Sequence, residues 1–88
     1  MSKADDLARV LQTGLVAIIR APSSEQIVNV ARALQRGGID VIEVTFTVPN
    51  ALSVLSDVRR ELGEEILLGA GTVLDSETAR AAILAGAE

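Results

Sequence analysis

The chain has 88 residues, 49% of them hydrophobic, and a net charge of −4, enough for one small domain. Its lack of cysteine and histidine excludes disulfides, thiolate or imidazole metal ligands, and any nucleophile activated by histidine. A mildly acidic balance with one Phe and no Tyr or Trp argues against a nucleic-acid partner, and no apolar run approaches the roughly eighteen residues of a membrane span, so a cytoplasmic protein is expected.

The polar start Met1–Asp6 lacks the apolar core of an export signal. Ser2 is a cap for a first helix, with Asp5 in the capping-box position and Leu7, Val10 and Leu11 on one face. Thr13 and Gly14 end it. Leu15–Ile19 is a continuous apolar run, as expected for a strand covered on both faces. Arg20-Ala21-Pro22 closes that strand. Ser23 then caps a second helix, with Gln26 as its reciprocal partner and Ile27, Val28, Ala31 and Leu34 at helical spacing, until Gly37-Gly38 stops it.

The pattern repeats twice more. A strand over Val41–Val48 ends at Pro49-Asn50, and Asn50 caps a helix whose buried face is Ala51, Leu55, Val58 and Leu62, stopped by Gly63. A third strand, Ile66–Val73, leads to Asp75 or Ser76 as the cap of a last helix with Ala79, Ala82 and Ile83 as its stripe. Strands alternating with helices at near-even intervals predict parallel βαβ units. No composition shift marks a linker, so residues 1–88 read as one domain. Aligning Arg80-Ala81 with Arg32-Ala33 sets Glu88 over Asp40, so a fourth strand is expected one residue later. A complete (β/α)8 barrel takes about 250 residues, so these three units read as a portion of a larger α/β fold.

Glu43 lies in the middle of the most strand-like run. An ionised carboxylate there forfeits several kcal/mol of solvation unless it is paired, hydrogen-bonded or protonated. Such a setting suits a group that moves protons near neutral pH. The competing reading is an outward-facing residue, or one whose charge an Arg meets. Arg20, Thr45 and Thr72 share the C-terminal edge of the predicted strands with Glu43, the edge where ligands bind in parallel α/β folds. Each also has a plain role open to it: a surface charge, a β-branched strand residue, a turn hydroxyl. Ile18 and Val44 are expected on the inward strand faces. The glycines of Gly69-Ala70-Gly71-Thr72 either let backbone amides approach an anion or make room inside a barrel. The segment lacks the third glycine of a dinucleotide fingerprint and the Gly-Lys-Ser/Thr of a phosphate loop, so no nucleotide cofactor is read from it.

Ile19-Arg20-Ala21, Gly37–Pro49 and Leu68–Val73 together resemble the N-terminal part of the 2-keto-3-deoxy-6-phosphogluconate and 2-keto-4-hydroxyglutarate aldolases. The resemblance implies an N-terminal helix and three βα units of a (β/α)8 TIM-barrel type fold. It also implies a class I lyase that cleaves a phosphorylated 2-keto sugar acid to pyruvate and glyceraldehyde 3-phosphate, needs no metal or other cofactor, and works as a homo-oligomer, usually a trimer. A lysine on a later strand forms the Schiff base. The glutamate matching Glu43 is the general acid/base acting through water, and the threonine matching Thr72 holds the pyruvate-derived carboxylate. Many members carry Arg where this chain has Thr47, so Arg20 is expected to supply the guanidinium, and Arg20, Thr45 and Thr72 are the substrate-binding residues that the resemblance implies. Lys3, the only lysine here, matches no catalytic position. The 88 residues alone are therefore expected to be inactive. The alternatives are a self-assembling barrel fragment without catalysis and an open-sheet anion-binding domain.

Overall fold

Each βα unit begins with local signals that the backbone obeys. The computed structural model describes residues 2–88. Helix α1 spans Lys3–Thr13; Ser2 Oγ accepts from the Asp5 N–H at 3.2 Å, and Gly14 takes a left-handed φ of 71° that lets its N–H reach Val10 O. Strand β1 (Ala17–Ile19) is followed by α2 (Ser24–Arg36), whose cap Ser23 Oγ accepts from Gln26 N–H at 3.3 Å. Replacing such a serine cap costs about 1 kcal/mol. Strand β2 (Val41–Thr45), α3 (Ala51–Leu62), a single 3₁₀ turn (Gly63–Glu65), β3 (Leu67–Gly71) and α4 (Ser76–Ala85) complete the order. Asp75 caps α4 by accepting from Thr78 N–H at 2.6 Å, and that hydrogen bond holds its carboxyl below the usual carboxylate range.

The three strands form one parallel sheet in the order β1-β2-β3, with Ile18, Glu43 and Gly69 in one row and Thr45 opposite Gly71. Side-chain alternation then separates two faces. Ile19, Ile42, Val44 and Leu68 face the helices and are buried with Ile27, Val28 and Ala31 of α2, Val54, Leu55, Val58 and Leu62 of α3, and Ala82 of α4. Ile18, Glu43, Thr45, Gly69 and Gly71 lie on the other face. On the free edge of β3, the Glu88 N–H donates to Leu68 O at 2.8 Å, so the residues after α4 already run alongside β3.

Two arginines fasten the units together. Arg9 donates from Nε and Nη2 to Asp40 Oδ2 (3.2 and 3.1 Å) and also reaches the carbonyl of Glu65 at 2.8 Å, tying α1 to the residues before β2 and β3. Burial works to raise the Asp40 carboxyl, but the Arg9 bonds and a 3.1 Å bond from Thr13 Oγ1 outweigh it and hold it below the usual range. Arg59 of α3 likewise donates to the carbonyls of Gly63 and Gly86 and pairs with Glu88, the position that aligns with Asp40.

Several expectations need correction. β1 is only Ala17–Ile19, and its inner face is open: Ile18 is 55% exposed, so the strand is covered on one face, not two. Val44 points into the helix layer, because it alternates with the inward Glu43. Asn50 occupies the cap position of α3 with φ 55° but makes no side-chain cap bond. Ile83 of the expected α4 stripe, and Leu7 and Leu11 of the α1 face, are exposed. Burial of those residues needs neighbouring elements that local periodicity cannot supply.

Candidate functional site

The inner sheet face and α1 enclose a groove of about 610 Å³, lined by Leu7 and Val10 of α1 and by Val16, Val41, Glu43 and Leu67. The strand residues of its floor are apolar apart from Glu43, which is half-buried, while Lys3 and Asp6 of α1 and Glu88 also line the groove. The Glu43 side chain rises from this floor toward the C-terminal edge of the sheet. There its carboxylate occupies the space over Gly71: a Cβ on Gly71 would lie 1.7 Å from Glu43 Oε1 and 2.6 Å from its carboxyl carbon. Neither an Arg nor a Lys pairs with Glu43 among the described residues, so the reading in which an arginine meets its charge is not realised.

Beyond Glu43 on the same strand, Thr45 is 1% exposed, and its Oγ1 lies 2.8 Å from Thr72 Oγ1 and 3.4 Å from Thr47 Oγ1. The 2.8 Å contact is a full hydroxyl–hydroxyl bond, and it satisfies a buried group that would otherwise cost about 1–3 kcal/mol. Thr72 directly follows β3, so strand alternation alone would send its side chain toward the helices. Instead it adopts φ 56°. For a β-branched residue that is an outlier costing on the order of 1–3 kcal/mol, of the kind that collects at functional sites. The exposed Thr72 thus presents a hydroxyl beside the buried Thr45 hydroxyl at the sheet edge.

Arg20 immediately follows β1 on the same edge. It is exposed and enters no hydrogen bond or ion pair among the described residues, so its guanidinium is available to an anion. Glu43, Thr45 and Thr72 are therefore brought together by adjacent strands, with Arg20 at the neighbouring strand end. Lys3, the first residue of α1, lines the same groove but makes no ion pair with Glu43 among the described residues. Strand alternation alone does not reveal that the Glu43 carboxylate lies over Gly71. The available signal was the register: two glycines, Gly69 and Gly71, lie beside the carboxylate-bearing strand on its inward face.

Comparison with known proteins bears on this geometry. A family model described as KDPG and KHG aldolase matches residues 7–88. The 2-dehydro-3-deoxy-phosphogluconate aldolase of Treponema pallidum is 40% identical over 74 residues, covering 84% of this chain and 35% of the relative. The KHG/KDPG aldolase of Escherichia coli is 36% identical over 80 residues, covering 90% of this chain and 37% of the relative. Among solved structures, KDPG aldolase from Legionella pneumophila, with pyruvate captured at low pH as a covalent carbinolamine intermediate, superposes with a TM-score of 0.76 at 33% identity, covering 82% of this chain and 34% of that one. The 2-keto-3-deoxy-6-phosphogluconate aldolase of Zymomonas mobilis ZM4 with 3-phosphoglycerate gives a TM-score of 0.83 at 28% identity, over 99% of this chain and 41% of that one. The chain spans little more than a third of the length of the curated relatives it matches.

Proposed function

Since the chain belongs to the KDPG and KHG aldolase family and folds as three βα units of a (β/α)8 barrel, we propose that it carries the proton-transfer and carboxylate-binding part of a class I aldol-cleavage site. Glu43 is the general acid/base, reaching the substrate through a water. Thr72 and Thr45 hold the carboxylate of a 2-keto acid by their hydroxyls, and Arg20 contributes charge where Thr47 stands in place of an arginine. A 2-keto sugar acid bearing a phosphate is the substrate class, and pyruvate one product.

The observation that carries this reading is the Glu43 carboxylate beside the Thr45–Thr72 hydroxyl pair on one sheet edge, with no cation neutralising it. A carboxylate free of a salt bridge, above an apolar floor, can take and return a proton at carbon. Hydroxyl donors and a free guanidinium one strand away suit a substrate carboxylate. The nucleophile is missing from these residues. Class I chemistry needs a lysine amine to form the imine that withdraws electrons from the breaking C–C bond. Lys3 is the sole lysine and sits at the start of α1. The 88 residues alone are then catalytically silent.

The test is borohydride trapping with pyruvate. No adduct should form on these 88 residues except at Lys3 or the terminal amine. In a polypeptide that continues them with further βα units and a barrel lysine, Glu43→Gln should lower turnover by roughly 10²–10⁴, the scale of a lost general acid/base. Unchanged turnover would return Glu43 to a packing role.

A second reading has its own observation. Ile18 of β1, and Val16 and Leu15 just before it, are 55%, 46% and 57% exposed, and the outer edge of β1 is unpaired. Such a face suits a homo-oligomer in which another chain covers it.

A further inference from the structure

Gly69 and Gly71 occupy the same strand and the same inward face, two residues apart, yet a side chain at each would meet different surroundings. A Cβ at Gly69 would touch only Ile42 O, at 3.9 Å, which is ordinary contact. A Cβ at Gly71 would coincide with the end of Glu43: Oε1 at 1.7 Å, the carboxyl carbon at 2.6 Å and Cγ at 3.2 Å. Neither glycine has a left-handed φ, so backbone conformation requires glycine at neither position. What Gly71 provides is an empty volume, and the Glu43 carboxylate fills it.

We propose that Gly71 is the positioning residue for Glu43: the missing side chain lets the carboxylate lie over β3 at Gly71, the residue paired with Thr45, instead of rotating into the open groove. The proposal deepens the reading above by naming what fixes the proton-transfer group. Glu43 makes no hydrogen bond or ion pair among the described residues, so no polar partner anchors it, and shape is what remains to do so. Because Glu43 is long and the groove beside it is open, Gly71→Ala displaces the carboxylate rather than unfolding the sheet. A reacting group moved by about 1 Å can cost on the order of 10² in rate.

The experiment compares Gly71→Ala with Gly69→Ala, two identical chemical changes on one strand. In the 88-residue chain with ¹³C-labelled glutamate, the Glu43 side-chain carboxyl signal and its Hγ–Gly71 Hα cross-peak report position without reference to activity. In Gly71→Ala the carboxyl signal should move to the range of the exposed glutamates and the contacts from Glu43 Hγ to residue 71 should vanish; in Gly69→Ala both should stay. A Glu43 signal unmoved by Gly71→Ala overturns the proposal. If Gly71→Ala should prevent folding, Glu43→Ala in the same chain must restore it, because the colliding atoms are gone; failure to restore it would also overturn the proposal.

Activity, read in a polypeptide that completes the barrel, separates this inference from the function it rests on. Gly71→Ala should lower kcat about 10²-fold with KM little changed. Glu43→Asp, shorter by one methylene, should lower kcat on the native background but raise it on the Gly71→Ala background. A moved Glu43 signal with unchanged kcat upholds the positioning and removes proton transfer as the role of Glu43.

Discussion

Replacing Asp40 with Asn removes the charge at the centre of the clamp that joins α1 to the base of β2 while leaving the shape of the side chain almost intact. The native carboxylate accepts from Arg9 Nε and Nη2 at 3.2 and 3.1 Å and from Thr13 Oγ1 at 3.1 Å. Hydrogen bonds to charged groups contribute about 1.5–3 kcal/mol against roughly 0.5–1.5 for neutral ones. The Asp40 side chain is 33% exposed, however, and exposed ion pairs measure only about 0.2–1 kcal/mol. A net loss of about 1 kcal/mol follows, equivalent to a Tm decrease of about 4–8 °C for a domain of this size. The pH dependence has a definite sign. The folded-state carboxyl lies below its ordinary value of 3.8, so its stabilisation is fully present above that value and is lost as pH falls through the folded-state value. Thermal or urea melts of both proteins between about pH 2 and 7 should show a constant gap near neutrality that closes in acid. A gap that persists unchanged at the acid end would refute the assignment of the loss to the Asp40 charge, as would the absence of any gap at pH 7.

Leu55→Ala empties a fully buried position between sheet and helices and should cost about 2–5 kcal/mol by denaturant midpoint, whereas Ile83→Ala, at a 62% exposed site, should stay within about 0.5. Thr72→Val keeps the left-handed backbone and loses the hydroxyl, so it should be less stable than Thr72→Gly, which relieves about 1–2 kcal/mol of conformational cost; equal stability of the valine and native proteins would remove the energetic weight of the Thr45 contact. Sedimentation equilibrium at micromolar concentration should give a mass above the 9.2 kDa monomer, since the unpaired β1 edge and exposed Ile18 invite a second chain. A single folded species at the monomer mass would dismiss the assembly reading.

The order of elements was legible in the sequence because the signals that set it are local. Ser2 and Ser23 cap helices through the backbone of residues three places on, Gly14 and Gly37 end them, and Ile27, Val28 and Ala31 recur at the spacing that one helix face requires. Parallel pairing followed from alternation of strand and helix, and the clustering of Glu43, Thr45 and Thr72 followed from the rule that one sheet edge collects the strand ends. What local pattern could not decide was which side of each residue is filled. Leu15–Ile19 has the composition of a strand buried on both faces, but only neighbouring strands and helices determine that Ile19 is covered and Ile18 is not. Val44 and Glu43 point to opposite layers because strand side chains alternate, but which of the two faces the helices cover is decided only by packing. Thr72 leaves strand alternation through a positive φ that no propensity favours for threonine, and it thereby meets Thr45. Gly71 carries its meaning in an atom it lacks. That meaning exists only once the sheet has brought the Glu43 carboxylate across to it, because contact between residues far apart in the chain is a property of packing and not of sequence spacing.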